Sequence, residues 1–262
     1  MTMKKLLLIL LTTLLPMLAS AYDIEVKNAA GVTIYYNYIY INNNTEVEVT
    51  YGDDYNGYTG NVAIPNSVTY EGVTLMVREI GGHAFSDCPE LTSVNIPNSV
   101  TYIGDYAFED CSGLTSITLG NGVTGFGIGA FIGCTGLTSI VIPNSVIGIG
   151  DAAFSGCTSL ISVYSLIENP NDIDSYAFDT AVYDNCTLYV PVGTTSKYEE
   201  CKGWNDFAFI EEGAPASIST SKMVNKTKTK SYSIDGKMLN KPQKGLNIIQ
   251  YSDGTTQKVV SK

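Results

Sequence analysis

A chain of 262 residues is long enough for one large domain or for a repeat array with appendages. Its charge is uneven: residues 22–216 carry four basic side chains (Lys27, Arg78, Lys197, Lys202) against 24 acids, a net of −20, whereas residues 217–262 carry nine lysines against Asp235 and Asp253, a net of +7. An acidic body excludes nucleic acid as a partner, because phosphates need Lys and Arg, although acidity also serves simply to keep a secreted protein soluble.

The chain opens with Lys4 and Lys5, an apolar run from Leu6 to Leu15, Pro16, and the small-residue site Ala19-Ser20-Ala21. This is the layout of a cleavable export signal over residues 1–21, so the exported chain is expected to begin at Tyr22. No second apolar stretch approaches the ~20 residues of a membrane-spanning helix, so no transmembrane segment is expected. Residues 22–61, rich in Tyr, Val, Ile and Thr, read as β-hairpins that form an N-terminal cap.

Residues 62–185 repeat. Ile80 to Tyr102 (IGGHAFSDCPELTSVNIPNSVTY), Ile103 to Gly125 (IGDYAFEDCSGLTSITLGNGVTG) and Phe126 to Gly148 (FGIGAFIGCTGLTSIVIPNSVIG) share a period of 23 residues. A fourth copy opens at Ile149 and diverges, a degenerate one begins at Ile173, and an incomplete one lies upstream at Val62 (VAIPNSVTY). The period falls in the leucine-rich-repeat range. Within each copy Leu91, Val94 and Ile96, and their equivalents Leu114, Ile117, Leu119 and Leu137, Ile140, Ile142, are spaced as a short strand with alternate residues buried. Pro97 and Pro143 end the strand, because proline cannot donate to a ladder. One coil cannot bury its own apolar face, so the expected fold is a mainly β solenoid whose neighbours cover one another. Phe85, Phe108, Phe131, Phe154 and Phe178 are expected to form one buried column. Cys88, Cys111, Cys134 and Cys157 form a second, of buried structural thiols, since their spacing does not suit a zinc site. Cys186 and Cys201 stand outside that register, and pairing between them is left open.

In residues 186–212 a strand ends at Pro191, a short helix covers Ser196 to Lys202, Gly203 suits a helix C-terminus, and Trp204 packs over the last coil. Residues 213–230, made largely of Ser, Thr, Lys and Ala, read as a linker. Residues 231–262 place Asp235-Gly236 and Asp253-Gly254 between strand-like runs and read as a small β module.

The repeated IGxxAFxxCxxLTSIxIPNSV resembles the BspA-like leucine-rich-repeat family of bacterial cell-surface proteins, over roughly residues 62–212. The resemblance implies secreted or surface proteins of Gram-negative anaerobes such as the Bacteroidetes, several of them adhesins for host matrix proteins or for other bacteria, and it makes residues 186–212 the C-terminal cap. Residues 231–262 are similar in layout to the C-terminal sorting domains of type IX secretion; a small β module of another role is the alternative.

Chemistry is scarce. The single histidine, His83, occupies a variable slot shared with Tyr106, Gly129 and Ala152, which gives no triad or dyad. Asp105, Asp151 and Asp174 recur as turn residues rather than as a glycosidase pair. Asp53-Asp54 with Asn56-Gly57 departs from a calcium loop. No catalytic residue, metal ligand or cofactor site is expected, and the chain is read as a non-enzyme. The functional candidates are the outward strand positions Ser93, Asn95, Ser116, Thr118, Ser139, Val141, Ser162 and Tyr164, small and mostly hydrogen-bonding side chains in two surface columns. Tyr51, Tyr55 and Tyr58 are a second candidate surface, or part of the N-terminal cap. The expected function is adhesin-like binding of a host or bacterial protein or glycan. A periplasmic scaffold without an external ligand is the alternative, and a carbohydrate-active enzyme comes third.

Overall fold

The computed structural model describes residues 21–39, 45–53, 57–213, 228–233, 237–239, 245–251 and 256–261. The leader apart from Ala21, most of the expected linker, and both Asp-Gly turns of the C-terminal module lie outside them. The protein is mainly β with few helices.

Strands β1 (Ile24–Lys27), β2 (Thr33–Tyr38) and β3 (Glu46–Thr50) form an antiparallel meander. Their alternation buries Ile24, Ile34, Tyr36, Val47 and Val49 on one face. Asn28 closes the first turn, its Oδ1 accepting the N–H groups of Ala30 and Val32. Strand β4 (Gly60–Ala63) is followed by β5 (Ser67–Tyr70) and β6 (Val73–Ile80), an antiparallel hairpin. Its turn, Glu71-Gly72, has φ of +48° and +82°, the left-handed pair that matches the twist of a two-residue hairpin. Strand β6 then pairs parallel with β3, which joins the meander to the repeats.

Each later copy supplies one longer strand and one of two residues. These are β7 (Leu91–Asn95), β8 (Tyr102–Ile103), β9 (Ser116–Thr118), β10 (Gly125–Phe126), β11 (Ser139–Ile142), β12 (Gly148–Ile149) and β13 (Ser162–Ser165). The short strands continue one sheet in the order β6-β8-β10-β12, all parallel. The longer ones stack on the other side, with Ser93 opposite Ser116 and Ser139 opposite Ser162. Copies are tied along the stack by identical contacts: Thr115 Oγ1 donates to Thr92 O and Thr124 Oγ1 to Thr101 O, each 23 residues back.

The diverged segment forms α1 (Thr180–Asn185), β14 (Thr187–Val190), α2 (Thr195–Glu200), a 3-10 turn at Trp204–Asp206, and β15 (Phe209–Glu212). Gly203 turns the chain after α2 at φ +80°, and Trp204 is fully buried, its Nε1 donating to Asn171 O. Strands β14 and β15 extend the β11-β13 sheet in parallel. The C-terminal strands β16 (Lys228–Ser233), β17 (Met238–Leu239), β18 (Gly245–Tyr251) and β19 (Thr256–Ser261) pair antiparallel and, among the described residues, join β15 at Phe209 and Ser261.

The core is built as columns. The rings of Phe85, Phe108, Phe131, Phe154 and Phe178 stack in sequence, with centroids 4.8, 5.1, 5.1 and 4.9 Å apart and planes within 9° of parallel. Parallel stacking, less usual for aromatic pairs, arises here because the same rotamer is translated by one strand spacing. Tyr58 tilts over Phe85 at one end, and Phe207 and Tyr183 meet Phe178 edge-on at the other. Beside the rings the backbone is knit as well: Phe85 N–H donates to Ala107 O, Phe108 to Ala130 O and Phe131 to Ala153 O, all at 2.8 Å. The thiols of Cys111, Cys134 and Cys157 donate to the carbonyls of Phe85, Phe108 and Phe131. None of the six cysteines, Cys186 and Cys201 included, is joined in a disulfide.

Candidate functional site

The longer strands place alternate side chains outward. In β4, β7 and β9 the rows are Asn61, Ser93, Ser116 and Ala63, Asn95, Thr118. In β11, β13, β14 and β15 they are Ser139, Ser162, Thr187, Phe209 and Val141, Tyr164, Tyr189, Glu211. The face is two hydrogen-bonded sheets, divided between β9 and β11. All eight candidate residues therefore lie on its outward side, but not with equal access. Asn95, Ser116 and Thr118 are exposed, and Ser93, Ser139, Val141 and Ser162 are half-buried. Tyr164 is a correction to the expectation of an open binding position: it is only 9 % exposed, because its ring stacks on Tyr189 at 4.8 Å and 13°. Burial raises its phenol pKa, a hydrogen bond with Ser162 pulling the other way.

Six further members of the rows were not legible as such: Asn61, Ala63, Thr187, Tyr189, Phe209 and Glu211. Asn61 gathers hydrogen bonds from Thr92 Oγ1 (2.9 Å) and Ser93 Oγ (2.7 Å), which fixes the edge of the face. The signal that could have found Thr187 and Tyr189 is the alternation in Thr-Leu-Tyr-Val, which matches Ser-Val-Tyr-Ser of β13. None of the exposed candidates is ionisable. The face offers hydroxyl and amide groups that donate and accept hydrogen bonds at little desolvation cost.

The other candidates fall elsewhere. His83 sits on the turns at the opposite end of the coil, exposed, stacked on Tyr106 at 5.2 Å and 11°, with Nδ1 3.5 Å from Glu109 Oε2. Asp105 and Asp174 act as turn acceptors, for the N–H groups of Ile128 and Tyr176. Tyr58 is core rather than surface: it is buried, donates to Thr50 O and accepts from Tyr35 N–H, because the first phenylalanine of the column needs a lid. Tyr51 is half-buried; Tyr55, Asp54 and Asn56 lie outside the described residues. No helix of the described residues is long and apolar enough to cross a membrane.

Comparison with known proteins gives the repeat a family. A model of the BspA type leucine rich repeat region matches residues 78–198 in six copies. No curated protein matches the chain. Among solved structures, a leucine-rich repeat protein of T. pallidum is 27% identical, with a TM-score of 0.52, over 67% of this chain and 78% of that one. A leucine-rich repeat protein of Bacteroides capillosus is 30% identical, with a TM-score of 0.45, over 55% of this chain and 99% of that one. Leucine-rich-repeat proteins generally bind other proteins and are typically not enzymes.

Proposed function

Residues 78–198 are a BspA-type leucine-rich-repeat region, and from that premise we propose that the protein is an exported, adhesin-like interaction protein. It works as a solenoid of 23-residue period, closed at one end by the β1–β3 meander and at the other by the segment from β14 to β15. It holds a host or bacterial protein, or a glycan, on the strand face. The observation that carries this reading is the exposed, uncharged, hydrogen-bonding patch of Asn95 on β7 and Ser116 and Thr118 on β9, beside half-buried Ser93 on β7 and Ser139 on β11. Such a row meets an extended polar partner with few rotamers to fix, since Ser, Thr and Asn lose little side-chain entropy. Display at the cell surface is supported by the Lys4-Lys5, Leu6–Leu15 and Ala19-Ser20-Ala21 leader and by the sorting-like layout of residues 231–262. Labelling of intact source cells with an antibody to residues 80–160 is the expected outcome; labelling only after permeabilisation makes the protein a periplasmic scaffold.

The binding test uses a triple variant, Ser116→Arg, Thr118→Arg and Ser139→Arg, against an immobilised panel of extracellular-matrix proteins and a glycan array. These side chains point away from the core, so thermal stability stays within about 0.5 kcal/mol per site. Affinity for whichever panel member the unaltered chain binds is expected to fall at least about tenfold, or about 1.4 kcal/mol. Undiminished binding would place the contact on another surface.

A further inference from the structure

A second surface, on the turn side of the coil, has a chemistry unlike the strand face. From Glu79 to Ser196 the chain contains no Lys or Arg. Three side chains of one coil, Tyr102, Asp105 and Tyr106, lie down over three glycines of the next. A Cβ added at Gly125 would sit 3.4 Å from Tyr102 Cε2, one at Gly127 would overlap Asp105 Oδ1, and one at Gly129 would sit 2.7 Å from Tyr106 Cε1. The bare backbone is thus the floor on which two tyrosine rings flank a carboxylate. Asp105 Oδ1 accepts the N–H of Ile128 at 2.8 Å, and its Oδ2 has no hydrogen bond among the described residues. Glu79 is the register neighbour of Tyr102 on the adjoining strand. Both carboxylates are close enough to act on the Tyr102 hydroxyl, which is raised by burial first, then by Asp105 and Glu79. Tyr102 remains 38 % exposed. Tyr106 already stacks on His83, so the exposed Tyr102 ring and the carboxylates of Asp105 and Glu79 are the groups left to receive a primary ammonium, with Tyr106 as the wall beside them.

The same chain carries the complementary chemistry. Residues 217–262 have a net charge of +7, against −20 for residues 22–216, and Lys228, Lys230, Lys237 and Lys258 lie on or beside the C-terminal strands. That module pairs with β15, at the end of the strand-face sheet, whereas Tyr102 is on β8, in the other sheet. Between them lie about four strand spacings, roughly 19 Å. While β15 holds β19, the module does not cover its own chain's tyrosines. We propose that Tyr102, Asp105 and Tyr106 form a docking patch for lysines of the C-terminal module of a second copy of this chain. The two surfaces differ, so the contact is head-to-tail and builds rings or open chains of subunits rather than a dimer joined through one self-complementary patch.

Sedimentation velocity of the exported chain at about 20 mM and about 300 mM salt tests this, since exposed ion pairs weaken as the screening length shortens. The expected result is association that grows with concentration at low salt and is lost at high salt. A patch variant (Tyr102→Ser, Asp105→Asn, Tyr106→Ser) and a module variant (Lys228→Glu, Lys230→Glu, Lys258→Glu), each checked for native circular dichroism, are each monomeric alone. Mixed, they form a one-to-one complex that stops at two, because the mixture holds one intact patch and one intact module. Asp105→Asn alone, which keeps an acceptor for the Ile128 N–H, weakens association about fivefold, the most an exposed ion pair usually contributes. A monomer at every salt concentration overturns the proposal. So does association that survives in the patch variant, or a mixture that fails to pair.

Discussion

Ala152 stands at φ +52°, in a conformation that costs an L-residue roughly 1–2 kcal/mol. It is one of a column: His83, Tyr106 and Gly129 occupy the same turn position at +56°, +56° and +57°, and four residues further on Asp87, Asp110, Gly133 and Gly156 form a second such column. The turns on either side of each of these phenylalanines thus demand left-handed backbone twice per coil, and the sequence meets the demand with glycine in only some copies. His83 and Tyr106 recover part of the cost by stacking on each other. Ala152 has no ring to contribute, so Ala152→Gly should raise the stability of the chain. Relief of the strained φ outweighs the added freedom of the unfolded chain, and the net is about 0.5–1 kcal/mol. The neighbouring Ala153 is fully buried and has no positive φ, so Ala153→Gly should lower stability by about 1 kcal/mol. Urea midpoints at unchanged slope distinguish the two; a loss of stability in Ala152→Gly would show that the column is not strained.

Among the elements, the junction of β3 and β6 carries an electrostatic tension between carboxylates. Glu48 and Glu79 are register neighbours on these parallel strands. Burial raises the Glu48 carboxyl above its ordinary value of 4.5, Glu79 raises it further, and a hydrogen bond from Asn37 lowers it. Burial and Glu46 raise Glu79 in turn, while Arg78 is engaged by Glu46 at 2.8 Å. A carboxyl whose folded pKa lies above its unfolded value favours the fold while protonated. Its contribution is therefore full below about pH 4.5 and is lost as pH rises through the raised folded values. Denaturant titrations across that window should show stability declining with pH, and Glu48→Gln should flatten the decline; an unchanged slope in Glu48→Gln would remove Glu48 as its source. This junction also marks where the sequence could be read and where it could not. Ile64-Pro65-Asn66-Ser67-Val68 has the same letters as Ile96 to Val100 and Ile142 to Val146. In the later copies the serine lies in a turn, yet Ser67 begins a strand of the β5–β6 hairpin. The difference lies downstream, in Glu71-Gly72, which reverses the chain where later copies run on into Ile-Gly. The phenylalanine column was legible because identical spacing forces identical placement. Helix α1, by contrast, replaces a copy whose letters had already diverged. Tyr164 was put on the right side of its strand by alternation alone, but the Tyr189 that covers it comes from β14, and only the fold makes the two neighbours.

At the scale of the whole molecule, continuity is the property that separates the repeats from the C-terminal module. From Tyr58 to Phe207 the aromatic column is unbroken, and each coil is held to the next by the Phe–Ala backbone bonds and the thiol–carbonyl contacts. In such an array each unit is stabilised by its neighbours, so opening a central coil removes contacts on both sides. The module is built differently: β18 and β19 pair over six residues and β16 with β18 over five, yet among the described residues β19 pairs with β15 only at Phe209 and Ser261. Its strands therefore hold chiefly to one another, and a small four-stranded sheet joined to its neighbour at one edge is near the lower limit of independent stability. Native-state hydrogen exchange should resolve the two: amides of β18 and β19 are expected to exchange more than about a hundredfold faster than those of β7, β11 and β13, through an opening that leaves the repeats closed. Phe131→Ala, which cuts the column at its middle and costs about 3–5 kcal/mol, should accelerate exchange in β9, β11 and β13 and leave β18 and β19 as they were. If instead the variant accelerates all strands together, repeats and module form one cooperative unit, and the single Phe209–Ser261 pair understates the contact between them.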